Sequence, residues 1–440
     1  MSAKSKKEAI KSPRGMHDIL PADIGYYNTI VEKAREIADY YGFSEIKTPH
    51  VEYAELFIRP LGETSDVVQK EMYTFRTKGG DLLALRPEET VAIMRAYAEH
   101  GMTSWPQPVK LFYEGAYFRH ENPQRGRFRE FHQFGAEILN DAESISDAII
   151  IKIFFLFLSE LGFKNTIVHI NSMGDKECKF AYRKELTGYY RKKFNYLCKN
   201  CKRRFKENPM RILDCKEISC LEFRMQAPQM IDYFCDGCKS HFRGVLEFLD
   251  ESGIPYYLNN HLARGFDYYG RTVFEIFDNT PNANSAQDDA GTLPLALAGG
   301  GRYDDLMALL GQKPLPATGG AAGIERIIFE MKKLGIMQKR FAKTRVFLIQ
   351  IGPAAKKKSF VLMDKFRKEG IHVDASLSRD NLKNQLNIAS KIGAQFAVII
   401  GQKEAMENSV IIRDMDESVQ ETISESKLID KLKTKLKVKK

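Results

Sequence analysis

No run in this sequence is apolar over the roughly 20 residues that a membrane-spanning helix needs. The most apolar stretch, Ala148 to Phe163 (AIIIKIFFLFLSELGF), is shorter than that and is interrupted by Lys152. It reads as a buried core helix, capped by Ser146 or Asp147 and ended by Gly162. The N-terminal MSAKSKKEAIKSPRG lacks the apolar segment of a secretory signal, and Lys rather than Arg dominates it. It reads as a short disordered basic tail on a cytoplasmic chain with no membrane partner. No GxGxxG follows a strand-like segment, and no GxxxxGK followed by Ser or Thr occurs anywhere. Both absences argue against Rossmann and P-loop nucleotide sites.

What is present is an ordinary globular composition with a basic bias. The chain has 440 residues, enough for two to four domains, and a formal net charge of +10 from 67 basic and 57 acidic residues. Such a balance suits a polyanionic partner without proving one. The C-terminal KLKTKLKVKK is basic as well and is expected to stay solvated.

Hydrophobic spacing divides the chain into blocks. Apolar residues between Pro21 and Gly42 recur at helical intervals, and the extended FSEIKTPHVE follows. A hairpin turning at Lys78-Gly79-Gly80-Asp81 precedes a helix from about Glu89 to His100. Two alternating arms then lead into the long helix after Ser146. Antiparallel strands with helices, rather than a regular βαβ array, make the fold class α+β. Residues 171–255 are rich in Lys, Arg and Cys and helical in pattern, as in an inserted subdomain. Residues 256–340 return to the core, including a polar loop at Asn279–Pro294. After a boundary near Phe341 to Thr344, residues 344–435 show a βαβαββ texture of their own.

The segment YFRHENPQRGRFREFHQFGAEIL, Tyr117 to Leu139, reads as a hairpin turning at Asn-Pro-Gln-Arg-Gly. Its polar positions carry Arg119, Arg125, Arg127 and Arg129, with Gln133 and Glu137 on the return arm. A guanidinium is planar, permanently charged and bidentate, so clustered arginines suit phosphate oxygens. Held on a rigid hairpin they would be preorganised to stabilise charge that develops during phosphoryl or adenylyl transfer. A solvated, salt-bridged hairpin explains the same residues, and other segments must decide. LARGFDYYGRTVFEI places Arg264 near Asp267, Tyr268 and Tyr269; AGGGRYDDL offers three glycines that let a ligand approach backbone; GAAGIERII puts Gly323 ahead of a helix bearing Arg326.

Taken together and in this order, these segments resemble histidyl-tRNA synthetase, a class II aminoacyl-tRNA synthetase family. PRGMHDILP resembles the family's N-terminal signature, IKTPHVE its motif 1, FRHENPQRGRFREFHQFGAE its motif 2 and GAAGIERI its motif 3. LARGFDYYGRTVFEI and AGGGRYDDL are similar to its histidine-specific segments, and RPEET to its amino-acid-binding turn. The resemblance implies a class II antiparallel sheet core in residues 1–170 and 256–340, a mostly helical insertion, and a C-terminal α/β anticodon-binding domain. It implies ATP-dependent charging of tRNA(His) with L-histidine, Mg²⁺ accompanying ATP, and a homodimer through motif 1.

Residue roles follow from the same resemblance. Arg119 would hold the α-phosphate and the histidine carboxylate, and Arg264 would face the α-phosphate where other class II enzymes use a metal. Glu121 would read the adenine edge, Phe131 stack on adenine, and Arg127 and Arg326 hold the outer phosphates. Glu88, Thr90 and Gln133 would bind the α-amino group. Glu137 and Tyr269 would face the imidazole, whose single donor and single acceptor a carboxylate and a phenol can read together. Tyr268 stands in the same histidine-binding set, although core packing is its plainer role. Glu89 occupies a position where the family usually has a small residue. A non-catalytic histidine-binding regulatory paralogue is the alternative, and a class II synthetase for threonine, proline or glycine is a further rival that LARGFDYY opposes.

Cysteine supplies the last signal. Cys198-Lys-Asn-Cys201 and Cys235-Asp-Gly-Cys238 form two CxxC pairs, with Cys215 and Cys220 between them. In a cytosolic protein this reads as structural zinc rather than disulfides. The first-choice ligands are Cys198, Cys201, Cys235 and Cys238; a set that brings in Cys215 or Cys220 stays open, as do buried free thiols. Cys178 reads as a lone packing residue.

Overall fold

The computed structural model describes residues 10–63, 65–123, 126–215, 217–262, 265–280, 295–336, 346–376 and 381–438. Two compact units divide the chain, Met1–Gln338 and Lys339–Lys440.

The first unit is built on one eight-stranded sheet. Its strands are β1 (Ser44–Glu45), β2 (Val109–Phe118), β3 (Glu130–Leu139), β4 (Thr166–Ser172), β5 (Tyr256–Leu258), β6 (Gly270–Asp278), β7 (Ala298–Arg302) and β8 (Ala317–Gly323), in the order β1-β2-β3-β8-β7-β6-β4-β5. Pairing is antiparallel throughout the centre and parallel only in the outer pairs β1/β2 and β4/β5. Helices pack on this sheet, so the architecture is α+β as expected. Strand alternation separates the two faces of β3. Phe134, Ala136 and Ile138 enter a core shared with helices Ile24–Tyr40 and Ser144–Glu160. Phe131, Gln133, Gly135 and Glu137 therefore face the other way, toward helix Thr90–Glu99 and a small sheet of Val51–Tyr53, Thr74–Arg76 and Leu82–Leu85.

Helix Ser144–Glu160 buries Ile150, Ile151, Ile153, Phe154, Phe157 and Leu158, which lie around much of its circumference, so it is a core helix and not an amphipathic surface one. The expected caps do not act. The helix begins at Ser144; Ser146 Oγ donates to Asp141 at 2.7 Å and Asp147 is fully buried against Arg302. The expected tight hairpin is also longer than read. Regular strand pairing ends at Phe118 opposite Glu130, with one further cross-strand bond from Arg119 N to Arg129 O at 2.9 Å, and residues 119–123 and 126–129 belong to no strand. Beyond that bond the backbone donors turn elsewhere: His120 N donates to Glu71 O and Arg129 N to Gly15 O, so the ladder stops there. Arg119, Arg127 and Arg129 thus stand on a loop, not on strands. Arg125 and residues 281–294 of the polar loop lie outside the described residues.

The cysteine-rich segment is mostly helical, with helices Lys176–Lys193, Lys199–Glu207, Ile218–Met225 and Asp236–Glu251. Its Tyr182, Leu186, Tyr190, Val245 and Leu249 belong to the same apolar cluster as helix Ser144–Glu160, so it is stabilised by the sheet's core as well as its own.

The second unit has a five-stranded mixed sheet in the order Val373–Ala375, Val346–Gln350, Phe396–Ile400, Ser409–Asp414, Gln420–Ser424. The C-terminal basic run is not a solvated tail. It falls largely within helix Leu428–Val438, whose Leu428 and Leu432 are wholly buried, while Lys431 and Lys435 pair with Glu421. Leucines four apart form one apolar stripe and the lysines take the outer face.

Candidate active site

A cleft of about 330 Å³ opens over the middle of the main sheet. Ten of the residues singled out in the sequence line it: Glu88, Thr90, Arg119, Glu121, Arg127, Phe131, Gln133, Tyr268, Tyr269 and Arg326. They come from four separate segments, and the strand register is what brings several of them together. Gln133 on β3 lies opposite Gly323 on β8, directly before the helix that carries Arg326. Arg264 lies outside the described residues.

The amino-acid end is built around Glu88. Its carboxylate accepts from the backbone N–H groups of Thr90 at 2.9 Å and Val91 at 3.0 Å, in the first turn of helix Thr90–Glu99. Tyr268 OH donates to it at 3.4 Å. Burial pushes the Glu88 carboxyl up to about 7, against those hydrogen bonds and the nearby Arg119. Tyr268 and Tyr269 lie against each other with ring centroids 4.6 Å apart and planes inclined by 43°, and Tyr269 keeps its backbone carbonyl on Lys179 Nζ.

Glu137 does not face the cleft as expected. It is fully buried one layer behind, accepting from Thr90 Oγ1 at 2.9 Å, Tyr113 OH at 3.1 Å and Tyr303 OH. Burial pushes its carboxyl up to about 8 while the three hydroxyl donors oppose the shift. The carboxylate fits because its cross-strand neighbour is Gly319, where an added Cβ would lie 1.4 Å from Glu137 Oε2. Tyr113 and Tyr303 were not anticipated; Tyr303 sits inside AGGGRYDDL, and only the sheet register links it to Glu137.

The cleft is also cationic, beginning with Arg119 beside Glu88. Arg119 donates Nε to Pro87 O at 2.9 Å, and its guanidinium lies over Phe131 at 5.2 Å and Phe266 at 5.4 Å. Arg326 donates to Gly126 O at 3.1 Å and Ala296 O at 3.0 Å. Arg127 pairs with Glu121 at 3.2 Å. Burial and then Arg127 and Arg119 hold the Arg326 pKa below its usual value, the mark of guanidinium groups crowded together. Such a cluster favours a polyanion. Arg129 is apart from it, bound to Glu121 O and the Gly15 segment. Of the three glycines in AGGGRYDDL only Gly299 lines the cleft. Gly300 serves packing, since a Cβ there would sit 2.0 Å from Gly319 O.

The unusual Glu89 is 2 % exposed, paired with Arg86 at 2.8 Å and accepting hydrogen bonds from Thr48 Oγ1 at 2.7 Å and Tyr117 OH at 2.9 Å. Glu325 is a further fixing group that sequence reading missed. It accepts from His132 N at 2.9 Å and meets His132 Nδ1 at 2.8 Å, tying helix Ile324–Lys333 to β3.

The first-choice metal ligands do not meet as one set. Cys198 and Cys201 gather with Cys215 and Cys220, whereas Cys235 and Cys238 gather with Asp175 and Cys178. Each CxxC pair opens a different helix, Lys199–Glu207 or Asp236–Glu251, and each closes on its own partners. Cys178 is therefore not a lone packing residue.

Comparison with known proteins agrees with this geometry. Residues 15–174 match the histidyl-tRNA synthetase family and residues 345–435 the anticodon binding domain family. The histidine--tRNA ligase of Pelotomaculum thermopropionicum is 40% identical over 424 residues, spanning 96% of this chain and 97% of that protein. That of Dehalococcoides mccartyi is 42% identical, spanning 97% of this chain and 100% of that protein. The crystal structure of apo S. aureus histidyl-tRNA synthetase superposes with a TM-score of 0.78 at 31% identity, covering 96% of this chain and 99% of that one. A cleft with these residues, on this sheet, in a chain alike over nearly its whole length, leads to one assignment: the chain belongs to the histidyl-tRNA synthetase family.

Proposed function

We propose that this chain charges tRNA(His) with L-histidine in two steps at the described cleft. The histidine carboxylate attacks the α-phosphate of ATP, giving histidyl-adenylate and pyrophosphate. A hydroxyl of the terminal tRNA adenosine then attacks the acyl carbon, and AMP leaves. One cleft lined by Arg119, Arg127 and Arg326 together with Glu88, Thr90 and Gln133, with Arg119 held on Pro87 O beside Glu88, carries this reading. No covalent nucleophile on the protein is needed; positioning and charge stabilisation suffice.

Arg119, and Arg264 by the resemblance, act at the α-phosphate. Arg127 and Arg326 take the outer phosphates, Phe131 the adenine face and Glu121 its edge. Glu88, Thr90 and Gln133 hold the α-amino group, and Tyr269 meets the imidazole. Glu137 acts through Thr90, which it hydrogen-bonds, and Tyr268 packs against Tyr269. Mg²⁺ accompanies ATP and screens its phosphates. Residues 1–170 and 256–340 form the catalytic core, 171–255 the insertion with structural zinc, and 344–435 the anticodon-binding domain. The protein works in the cytoplasm as a homodimer.

Pyrophosphate exchange, run separately with histidine, threonine, proline and glycine, tests the reading. Exchange with histidine alone supports it. Histidine binding without exchange would point to the regulatory paralogue, and exchange with another amino acid to another synthetase.

A further inference from the structure

All seven cysteines of the chain fall into two clusters within the cysteine-rich segment and its root. Cys198, Cys201, Cys215 and Cys220 form one, with all four sulfurs within 4.8 Å of one another. Asp175, Cys178, Cys235 and Cys238 form the other, with the same spread between three sulfurs and one carboxylate oxygen. We infer that the chain binds two zinc ions, one in a closed four-thiolate site and one in a site of three thiolates and the Asp175 carboxylate.

The distances favour a metal over a disulfide. Cys198 Sγ and Cys215 Sγ are 3.9 Å apart, against about 2.05 Å for a disulfide. Two sulfurs on a tetrahedral zinc, each bonded at about 2.3 Å, stand about 3.8 Å apart. In the second cluster Asp175 Oδ2 lies 3.3 Å from Cys235 Sγ and 3.2 Å from Cys238 Sγ. A carboxylate oxygen and a sulfur on one tetrahedral zinc are separated by about 3.5 Å.

Backbone amides are aimed at the sulfurs in both clusters. Cys201 N donates to Cys198 Sγ at 3.4 Å and Cys198 N to Cys220 Sγ at 3.3 Å. Likewise Cys238 N donates to Cys235 Sγ at 3.4 Å, Cys235 N to Cys178 Sγ at 3.1 Å and Asp175 N to Cys238 Sγ at 3.3 Å. These bonds fix the direction of each sulfur, so that the four ligand atoms of each cluster converge on one point as a tetrahedral metal needs. Cys198 and Cys235 each sit at the N-terminus of a helix, so the two CxxC pairs share one local geometry while their other ligands differ.

The sites brace different places. The first joins helix Lys199–Glu207 to helix Ile218–Met225 within the insertion. The second joins its first and last long helices, Lys176–Lys193 and Asp236–Glu251, beside Gly174, whose carbonyl accepts from Arg271 N at 2.8 Å. It therefore fastens the insertion's root to the main sheet.

Elemental analysis of the full chain, purified without chelator, should find two zinc ions per chain, and a mercurial thiol reagent should release both to a chromogenic chelator. Cys201→Ser and Cys238→Ser should each retain one. Because either variant could misfold, zinc X-ray absorption on the unaltered protein is the second measurement. It should give an average of about 3.5 sulfur neighbours per zinc. One zinc with four sulfurs would overturn the two-site inference while leaving a structural zinc. No zinc in a folded, active protein would overturn both, and neither outcome bears on pyrophosphate exchange, which tests the synthetase reading separately.

Discussion

Asp147 and Arg302, separated by 155 positions in sequence, meet at 3.0 Å with both side chains essentially buried. The same carboxylate contacts His241 Nε2 at 2.6 Å and accepts from Thr272 Oγ1 at 2.8 Å, while Arg302 donates to the backbone carbonyls of Asp141 and Glu143. Helix Ser144–Glu160, strand β7 and the last helix of the insertion are locked together at this point. The coulombic pull of Arg302, with His241, outweighs burial and holds the Asp147 carboxyl below the usual range.

Removing one member of that pair leaves the other charge buried without its partner. Arg302→Met should destabilise the fold by ~3–5 kcal/mol, measured by denaturant unfolding. Arg302→Met with Asp147→Asn should be less unstable than the sum of the single variants. Additive losses would mean that the two residues stabilise the fold independently.

Stability should carry the signature of Glu137. Its folded pKa is raised from 4.5 to about 8, so the protonated form favours the folded state. That contribution is fully present below about pH 4.5 and is lost as pH rises toward about 8. Glu137→Gln cannot ionise. The melting temperature of the parent minus that of Glu137→Gln should therefore fall between pH 5 and 8.5. Glu88 titrates in the same window and acts on Glu137, so the comparison is repeated on a Glu88→Gln background, where the same fall is expected. A difference that is flat or rises with pH would show Glu137 to be ionised in the folded protein throughout.

Arg119→Lys tests the cationic cluster. Lysine keeps the charge but loses the planar fork that lies over Phe131 and Phe266 and reaches Pro87 O. The pyrophosphate-exchange rate should drop by ~10²–10³ with the melting temperature little changed. A rate within a few-fold of the parent would remove Arg119 from the reacting phosphate.

A chain ending at Lys343 should still form histidyl-adenylate but charge tRNA poorly. The second unit has apolar clusters of its own around Leu348, Leu362, Val398 and Leu432, and around Phe347 and Ile399. Its loss should leave the first unit's core intact. If tRNA charging matched that of the full chain, tRNA selection would lie elsewhere.

The sequence by itself determined the features that depend on local spacing. Period-two alternation marked Val109–Phe118 and Glu130–Leu139, and it also decides which residues of β3 reach the cleft. Helical spacing marked Ile24–Tyr40, and Gly42 at φ +73° ends that segment where a left-handed residue is needed. Leu432 and Leu436, with Leu428 just before them, carried the same kind of signal in a basic run, where charge count outweighed it. The cleft residues were legible because each stands in a short segment whose order along the chain is itself informative. Tertiary structure alone decided the rest. Two CxxC pairs look identical locally, and only the packing of four helices chooses the partners of each. Glu137 was placed behind the cleft rather than in it by a glycine on β8 and a tyrosine after β7, contacts 182 and 166 positions away that no local pattern encodes. Asp147 looked like a helix cap because its neighbours could be read and Arg302 could not. A buried charge is settled by the counter-charge that folding brings to it, and that partner is a property of the assembled sheet.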